Sequence, residues 1–346
     1  MSGTHRKSVR ARARCRVDLG GGTLDIWPLG LFFAGAQTVN VALDVIVEVT
    51  LSPREAGYRL RSESADVELA TVEELAADRE GALPGVVAAA LGLPPVDIEV
   101  RSASPRGGGL GASSAVTVAL IAAGDRLLGR PPRDAAGTAR LARDLEARLM
   151  QLPTGTQDHY PALLGGGLVV AFTPGGETVR RLDVDLDALG RHLLLVYTGH
   201  SHFSAATNWT IIRRCLEADA EVRQLLQGIA EVAAALPEPL ERGDWREVGA
   251  LVDREWQLRR RLADGVTVPV VENLLAVAAA HGAWGGKACG AGGGGCVAIL
   301  TPADRWESLG RALVAAGGEL VAALPTATGL EVAANGAESV SGPEPD

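Results

Sequence analysis

The chain has 346 residues, and 47% of them are hydrophobic, which excludes wholesale disorder and predicts about two domains. Its 33 Lys and Arg residues against 42 Asp and Glu residues give a net charge of −9. This acidic balance argues against a broad nucleic-acid or membrane surface, so neither partner is expected. An anion-binding site must therefore be local and built from backbone amides or a few arginines.

Several features bear on the compartment and on the chain ends. The four cysteines are too scattered for a disulfide scaffold and form no CxxC pair, which is typical of a reducing cytoplasm. No apolar stretch of signal-peptide type follows the basic N-terminus, and the longest apolar region, residues 27–49, is too polar to span a membrane. We therefore expect a cytoplasmic protein. Residues 1–14 are expected to be a disordered basic N-terminus, and residues 337–346 a flexible tail.

Alternating and β-branched segments predict strands, and apolar periodicity predicts helices. The predicted strands are residues 15–19, 38–51, 58–69, 96–101, 168–172, 178–182, 193–197, 296–300, 319–324 and 330–333. The predicted helices are residues 72–91 (broken at Pro84-Gly85), 113–128, 134–149, 204–262 (broken at Pro237 and Pro239), 271–281 and 303–316. Because the two types mix without regular alternation, the predicted class is α+β. A boundary near Gly190 divides the chain into domains at residues 15–190 and 191–336.

The most informative segment is the glycine-rich loop at residues 105–115, which opens directly into a helix. Its four glycines allow successive amides to converge on one point, and the helix N-terminus adds its own amides there. Ser113 and Ser114 supply hydroxyls that can cap the helix or reach a phosphate or Mg²⁺. No lysine follows the glycines, so the loop is not a P-loop. The residues alone leave an anion site and a capped turn equally open.

Two carboxylates follow the loop, twelve residues apart: Glu146 near a helix end and Asp158 in a loop. Magnesium-dependent phosphoryl transfer needs a hard oxygen ligand for the metal and a group that positions the acceptor hydroxyl. Without further context, either carboxylate is more often a solvated surface group.

Three segments, in this order, resemble the motifs of the GHMP kinase superfamily, which includes galactokinase, homoserine kinase, mevalonate kinase and phosphomevalonate kinase. Residues 16–25 (Arg-Val-Asp-Leu-Gly-Gly-Gly-Thr-Leu-Asp) resemble the first motif. Residues 105–115 resemble the second motif, and residues 287–296 resemble the third, which in the family is a glycine turn that packs beside the nucleotide loop. The resemblance implies an N-terminal domain of ribosomal-protein-S5-like fold, a C-terminal α+β domain and an active site in the cleft between them.

The resemblance also implies roles for individual residues. Asp158 would orient or deprotonate the acceptor hydroxyl, Arg16 would keep Asp158 ionised, and Glu146 with Ser113 would hold Mg²⁺. The residues implied for the phosphates of ATP are Pro105, Gly107, Gly108, Gly109, Leu110, Gly111, Ala112, Ser113 and Ser114. Those implied for the substrate are Gly21, Gly22, Thr23, Asp25, Gln157 and His202. The third motif contributes Gly290, Gly292 and Gly293, and Lys287 beside it is equally compatible with contacting phosphate or not.

Local strings point to a sugar 1-kinase branch. Residues 155–160 are similar to the Gly-x-Gln-Asp-Gln-Tyr string of D-glycero-D-manno-heptose 7-phosphate kinases, and L-fucose kinases share Gln-Asp-Gln. The implied reaction is phosphorylation of the C1 hydroxyl of a heptose phosphate or a hexose-type sugar. Thr156, His159 and His202 stand where the heptose kinases have Lys, Gln and Arg, which weakens the case for a phosphorylated sugar.

Other functions and assemblies stay open from the sequence. The alternatives are a mevalonate- or homoserine-type kinase and a catalytically inactive sugar and nucleotide sensor. A monomer and a homodimer are both compatible with the sequence.

Overall fold

The longest strand of the chain runs through the centre of the larger of two β-sheets. A computed structural model describes residues 8–200, 205–334 and 340–341. Its strands are β1 (Val9–Gly20), β2 (Gln37–Pro53), β3 (Tyr58–Arg61), β4 (Asp66–Leu69), β5 (Val96–Ser102), β6 (Gly167–Thr173), β7 (Gly176–Leu182), β8 (Leu193–Tyr197), β9 (Gly285–Ala288), β10 (Cys296–Leu300), β11 (Glu319–Leu320), β12 (Glu331–Ala334) and β13 (Val340–Ser341). Within the described ranges, one sheet has the path β13-β12-β1-β2-β5-β3-β4, with β6 and β7 branching from β2. The other has the order β11-β8-β10-β9.

Helices cover these sheets and carry much of the cleft described below. They are α1 (Val72–Ala77), α2 (Ala82–Leu91), α3 (Ala112–Leu127), α4 (Ala135–Met150), α5 (His159–Leu164), α6 (Leu186–His192), α7 (Ala205–Leu216), α8 (Ala220–Ala235), α9 (Pro237–Glu241), α10 (Trp245–Arg259), α11 (Pro269–Ala280) and α12 (Trp306–Ala315). Short 3-10 turns lie at Leu29–Phe32 and Ala303–Arg305. None of the helices in the described part of the chain is both long and apolar enough to cross a membrane.

Strand β1 holds the key position in the larger sheet. It lies between β2 and β12, and it packs against α3, α5, α8 and α10, so its last eight residues are all buried. Its register with β2 shifts between Arg14 and Arg16 and again between Asp18 and Gly20. Such irregularities bend a strand and re-aim its side chains. The two register shifts lie next to Arg16 and Asp18, whose side chains are buried.

Residues 9–14 form the first half of β1, which corrects the prediction of a disordered N-terminus up to residue 14. Small apolar side chains alternate there with arginines. Arg12 binds Glu48 and Arg14 binds Glu331, each at 2.6 Å. The arginines are therefore cross-strand partners of acidic residues. The basic segment is an ordinary strand in which arginines alternate with apolar residues.

The end of the chain returns to the larger sheet. Strand β12 pairs with β1 and with β13, whereas β8 to β11 form the smaller sheet. This differs from the predicted assignment of all of residues 191–336 to one domain, because β12 covers the edge that β1 would otherwise expose. Within the predicted tail at residues 337–346, the described residues 340–341 form β13. The boundary near Gly190 stays a prediction.

Two further differences concern short elements near the cleft. The break between α1 and α2 falls at residues 78–81, where Asp78 accepts the amides of Glu80 and Gly81. Pro84 lies in the first turn of α2, where a helix needs no N–H donor, so it does not break the helix. Strand β9 and helix α5 are not predicted, because a Gly-Gly-Lys-Ala segment and a six-residue helix carry too little local signal.

Helix α3 supplies the core beneath the larger sheet, since it packs against β1, β2, α2, α4 and α5. Leu120 in its centre is fully buried. We expect Leu120→Ala to destabilise the protein by about 2–5 kcal/mol, because the cavity adds to the lost transfer free energy. Urea unfolding followed by circular dichroism measures this. Leu324→Ala, at a side chain that is 59% exposed, should change stability by less than about 0.5 kcal/mol. Equal effects of the two substitutions would contradict the assigned core.

Candidate active site

A cleft of about 850 Å³ opens beside the N-terminus of α3. Most of the predicted site residues line it: Arg16, Thr23, Asp25, Pro105, Gly107, Gly108, Gly109, Leu110, Gly111, Ala112, Ser113, Ser114, Glu146, Gln157, Asp158 and Gly290. Four others do not line it: Gly21, Gly22, Gly292 and Gly293. His202 lies outside the described residues. The structure thus brings segments from four distant parts of the sequence to one cavity.

The glycine-rich loop takes a backbone shape that side chains rarely permit. Gly107, Gly109 and Gly111 have φ values of +64°, +70° and +73°. Gly111 is the N-cap of α3, and no side-chain oxygen caps that helix. The predicted alternative of a serine-capped turn is therefore not what forms. An uncapped helix N-terminus at a cavity wall provides amides for an anion.

A second glycine turn, between β9 and β10, packs directly against this loop. A Cβ on Gly109 would lie 2.5 Å from the carbonyl oxygen of Cys289, so no side chain fits there. The amide of Cys296 donates to the carbonyl oxygen of Gly108 at 2.8 Å. Burial raises the pKa of the Cys296 thiol to about 12, and that of Cys289 well above its ordinary value. The two thiols are small neutral groups filling the contact between the loops.

Gly292 and Gly293 of the second turn both pack against the backbone of Val266. A Cβ on Gly292 would lie 2.1 Å from the carbonyl oxygen of Val266, and the amide of Gly293 donates to that same oxygen at 2.7 Å. Of the three glycines predicted in this motif, Gly290 is the one that lines the cleft.

Arg16 and Asp158 form an ion pair in the cleft. Nε and Nη2 of Arg16 lie 2.8 Å and 2.6 Å from Oδ1 of Asp158, and Nη1 donates to the carbonyl oxygen of Gly109 at 2.6 Å. Arg16 is buried, whereas the Asp158 side chain is 26% exposed. Burial alone would lower the pKa of Arg16, but Asp158 and Asp18 raise it, so the guanidinium stays charged. A held carboxylate thus faces the cavity beside the glycine loop.

Glu146 is a buried carboxylate surrounded by donors. Its Oε1 accepts from Thr117 Oγ1 at 2.8 Å, its Oε2 accepts from Ser114 Oγ at 3.1 Å, and His159 Nε2 lies 3.3 Å from Oε2. Burial raises the pKa of Glu146, but His159 and the hydroxyl hydrogen bonds lower it below its ordinary value. The hydroxyl that contacts Glu146 is that of Ser114. Ser113, the predicted partner, is exposed in the cleft.

These oxygen donors fit Mg²⁺, which prefers carboxylates and hydroxyls and commonly uses only one or two protein carboxylates together with substrate phosphates. Glu146 and Ser113 both line the cleft. Among the residues that the structure describes, no three His, Cys, Asp or Glu side chains group into a metal site. The donor set therefore suits a metal ion shared with a phosphate ligand.

Asp25 also lines the cleft, near enough to Asp158 for the two charges to interact. The amide of Gln157 donates to its Oδ2 at 3.1 Å, and a Cβ on Gly155 would lie 1.7 Å from that oxygen. Burial, followed by the charge of Asp158, raises the pKa of Asp25 to about 6. The loop before it is tightly folded, since Thr23 has a φ of +74° and a Cβ on Gly21 would lie 2.0 Å from a backbone oxygen.

A buried charge cluster behind the cleft contains residues that sequence reasoning missed. Lys287 lies 2.6 Å from Asp18 and 3.3 Å from Glu255, and it does not line the cleft. Glu255 also binds Arg259, which donates to Thr23 and to the carbonyl oxygen of Gly22. Position 18 lies within the first motif and position 287 starts the third. Glu255 and Arg259 carry no motif, and their spacing of four residues on a helix is their sole sequence signal.

Comparison with known proteins identifies the family. The model of the GHMP kinases N terminal domain matches residues 74–166, and the GHMP kinases C terminal model matches residues 233–319. The chain belongs to the GHMP kinases, which are ATP-dependent kinases, and the predicted family and fold are confirmed.

Individual relatives differ in what they phosphorylate. The chain is 32% identical over 214 residues to the mevalonate kinase of Methanothermobacter thermautotrophicus, covering 60% of this chain and 65% of that protein. It is 23% identical over 321 residues to the D-glycero-alpha-D-manno-heptose 7-phosphate kinase of Campylobacter jejuni, covering 89% and 93%. A crystal structure of a D-glycero-D-manno-heptose 1-phosphate kinase from Bacteroides thetaiotaomicron superposes with a TM-score of 0.74 at 22% identity, covering 94% and 98%. The last likeness shows the fold.

The contact between the glycine turns predicts the effect of adding one methyl group. Gly109→Ala should weaken Mg-ATP binding by at least about 1.4 kcal/mol, or tenfold, because the new Cβ displaces the loop from Cys289. Gly92→Ala is a matched control, since Gly92 has a φ of +66° but open space around its Cβ position. The control should lower the melting temperature without changing ATP affinity. Unchanged ATP affinity in folded Gly109→Ala would refute the assigned loop.

Proposed function

We propose that this GHMP kinase transfers the γ-phosphoryl group of ATP to a hydroxyl group of a sugar, with the C1 hydroxyl as the acceptor. The products are ADP and a sugar 1-phosphate. The observation that carries the proposal is the Arg16–Asp158 pair, which faces the cleft beside an uncapped glycine loop. The relative that acts on heptose 7-phosphate aligns over 89% of the chain, which supports a sugar as acceptor.

The nucleotide would lie along the glycine loop. The amides of residues 107–114 would surround its phosphates, since an uncapped helix N-terminus stabilises negative charge. Beyond the loop, the cleft is lined by apolar side chains that suit a base: Leu60, Leu83, Pro84 and Val100. Glu146 and Ser113 would hold Mg²⁺, which neutralises charge on the β- and γ-phosphates when it is bound.

Asp158 would accept a hydrogen bond from the acceptor hydroxyl and take its proton as the new oxygen–phosphorus bond forms and the bond to ADP breaks. Arg16 would keep Asp158 oriented and offset charge on the moving phosphoryl group. The acceptor would lie against Asp25, Thr23 and Gln157.

The charges around the cleft favour an uncharged, hexose-type sugar over a heptose phosphate. Among the described lining residues, the Lys and Arg side chains are Arg16 and Arg106. Asp158 already binds Arg16, and Glu80 binds Arg106 at 2.8 Å. A phosphate or carboxylate on the acceptor would have to compete with Asp158 for Arg16 or with Glu80 for the exposed Arg106, and it would face Asp25.

A mevalonate-type kinase is the second candidate, because the mevalonate kinase relative is 32% identical. The same charge argument counts against it, since mevalonate carries a carboxylate. A homoserine-type kinase keeps the fold and changes the acceptor. An inactive sensor is disfavoured because Arg16, Ser113, Glu146 and Asp158 are all present.

The test is ADP release with Mg-ATP across fucose, galactose, mannose, glucuronate, D-glycero-D-manno-heptose 7-phosphate, mevalonate and homoserine. We expect an uncharged sugar to give the signal, and phosphorus NMR of the product to locate the phosphate on C1. Asp158→Asn should lower kcat by about 10²–10⁴-fold, because proton transfer and orientation are lost. Asp144→Asn, at a side chain that is 66% exposed, is the matched control and should behave as wild type. Turnover of mevalonate alone, or a fully active Asp158→Asn variant, would refute the proposal.

Asp25 predicts a pH dependence of sugar use. With a pKa of about 6, this carboxyl is ionised above that pH and accepts sugar hydroxyls, and it is protonated below it. We therefore expect kcat/KM for the sugar to fall as the pH is lowered through about 6. In Asp25→Asn this acid limb should disappear, at a lower overall kcat/KM. Identical profiles of variant and wild type between about pH 5 and pH 7 would show that Asp25 does not contact the sugar.

A further inference from the structure

Five charged side chains are buried together, Arg16 in the wall of the cleft and Asp18, Glu255, Arg259 and Lys287 outside its lining. Each is at most 2% exposed. They come from β1, α10 and β9, so the cluster joins the larger sheet, a helix and the smaller sheet. With Asp158 added, it contains three cations and three anions. The proposed catalytic carboxylate, which is 26% exposed, therefore lies at the edge of a buried set of alternating charges, and Asp25 interacts with Arg16 and Arg259 of that set.

One branch of the cluster leads from Lys287 to the catalytic pair. Lys287 Nζ donates to Asp18 Oδ2 at 2.6 Å. The other oxygen of Asp18 accepts the Gly290 amide at 2.8 Å and lies 3.7 Å from Nη1 of Arg16. The same nitrogen of Arg16 donates to the carbonyl oxygen of Gly109. Asp18 thus contacts both the second glycine turn and the arginine that holds Asp158.

The other branch leads to the acceptor loop. Lys287 lies 3.3 Å from Oε2 of Glu255, whose Oε1 accepts from Arg259. Arg259 donates to the carbonyl oxygen of Gly22 at 2.7 Å and to Thr23 Oγ1 at 3.0 Å. Thr23 has a left-handed backbone, and such a conformation persists where the surroundings over-determine it. The two hydrogen bonds from Arg259 contribute to that constraint.

The loss of any one charged side chain would leave an unbalanced charge in the buried cluster. Burial would raise the pKa of Asp18, but Lys287, Arg16 and Arg259 lower it, so the carboxylate is anionic. Removing one partner of a buried ion pair leaves an uncompensated charge, whereas removing both restores the balance. Asp18 and Arg16 would shift to compensate for a lost charge. The two glycine turns that they hydrogen-bond, at Gly290 and Gly109, would shift with them.

We propose that Lys287 is a positioning residue for phosphoryl transfer. Through Asp18 it fixes Arg16 beside Asp158, and through Glu255 and Arg259 it holds the acceptor loop. The proposal rests on the proposed roles of Arg16 and Asp158. It predicts that charge balance within the cluster, rather than the lysine as such, determines the rate.

The experiment compares single and double variants with Mg-ATP and the sugar of the panel that wild type turns over fastest. Lys287→Met should lower kcat by about 10- to 100-fold, because small misplacements of reacting groups slow catalysis strongly. The KM values for ATP and sugar should change by less than about threefold, since the binding groups remain. The double variant Lys287→Met/Asp18→Asn should recover at least about tenfold of that loss, because it removes both charges of the ion pair that is joined at 2.6 Å. Arg311→Met, at a side chain that is 75% exposed, controls for charge removal as such.

The outcomes are separable. Folded Lys287→Met with wild-type kcat, or a double variant slower than the single one, would overturn the proposal. If Lys287→Met does not fold, Asp18→Asn replaces it, since the amide oxygen can still accept the Gly290 amide. A wild-type kcat in Asp18→Asn would equally overturn the proposal. Absence of turnover by wild type on every sugar would instead refute the proposed function.

Discussion

Two glycine turns that touch through their backbones set the geometry of this protein. One lies at the start of α3 beside the larger sheet, and the other joins two strands of the smaller sheet. Their contact, from Gly109 to Cys289 and from Cys296 to Gly108, leaves no room for side chains. Because the backbones meet, the amides at the helix N-terminus and the strand end that carries Arg16 open onto the same cavity. The cleft follows from this approach.

The charges of the cavity are organised around the same contact. Arg16 donates its backbone amide to Leu110 and a guanidinium nitrogen to Gly109, so the loop that would bind phosphate also orients the arginine. Asp158 is held by that arginine, and Glu146 by hydroxyls of α3. The groups that would act on the phosphate donor and on the acceptor are therefore all held by α3 and the glycine loop that precedes it. A displacement of α3 would move them together.

Local sequence patterns predict the residues that line the cleft better than they predict the buried charged residues that hold them in place. The glycine motifs, Glu146 and Asp158 stand in contiguous strings, and the structure places them around one cleft. Glu255 and Arg259 are an ordinary helical pair in sequence, and only the packing of α10 against β1 and β9 buries them. The arginines of β1 mislead for the same reason, since their acidic partners lie more than thirty residues away. Buried charge depends on tertiary neighbours that no local pattern specifies.

Chemical modification of the thiols at the contact between the two glycine turns would report separation of the turns. Cys289 and Cys296 are buried where the two glycine turns meet, and their raised pKa values make them poor nucleophiles while they stay there. Separation of the two glycine turns would expose these thiols to an alkylating reagent. The rate at which these cysteines are modified would therefore report how often the two turns separate, and protection by a bound nucleotide would report how strongly the nucleotide holds the turns together.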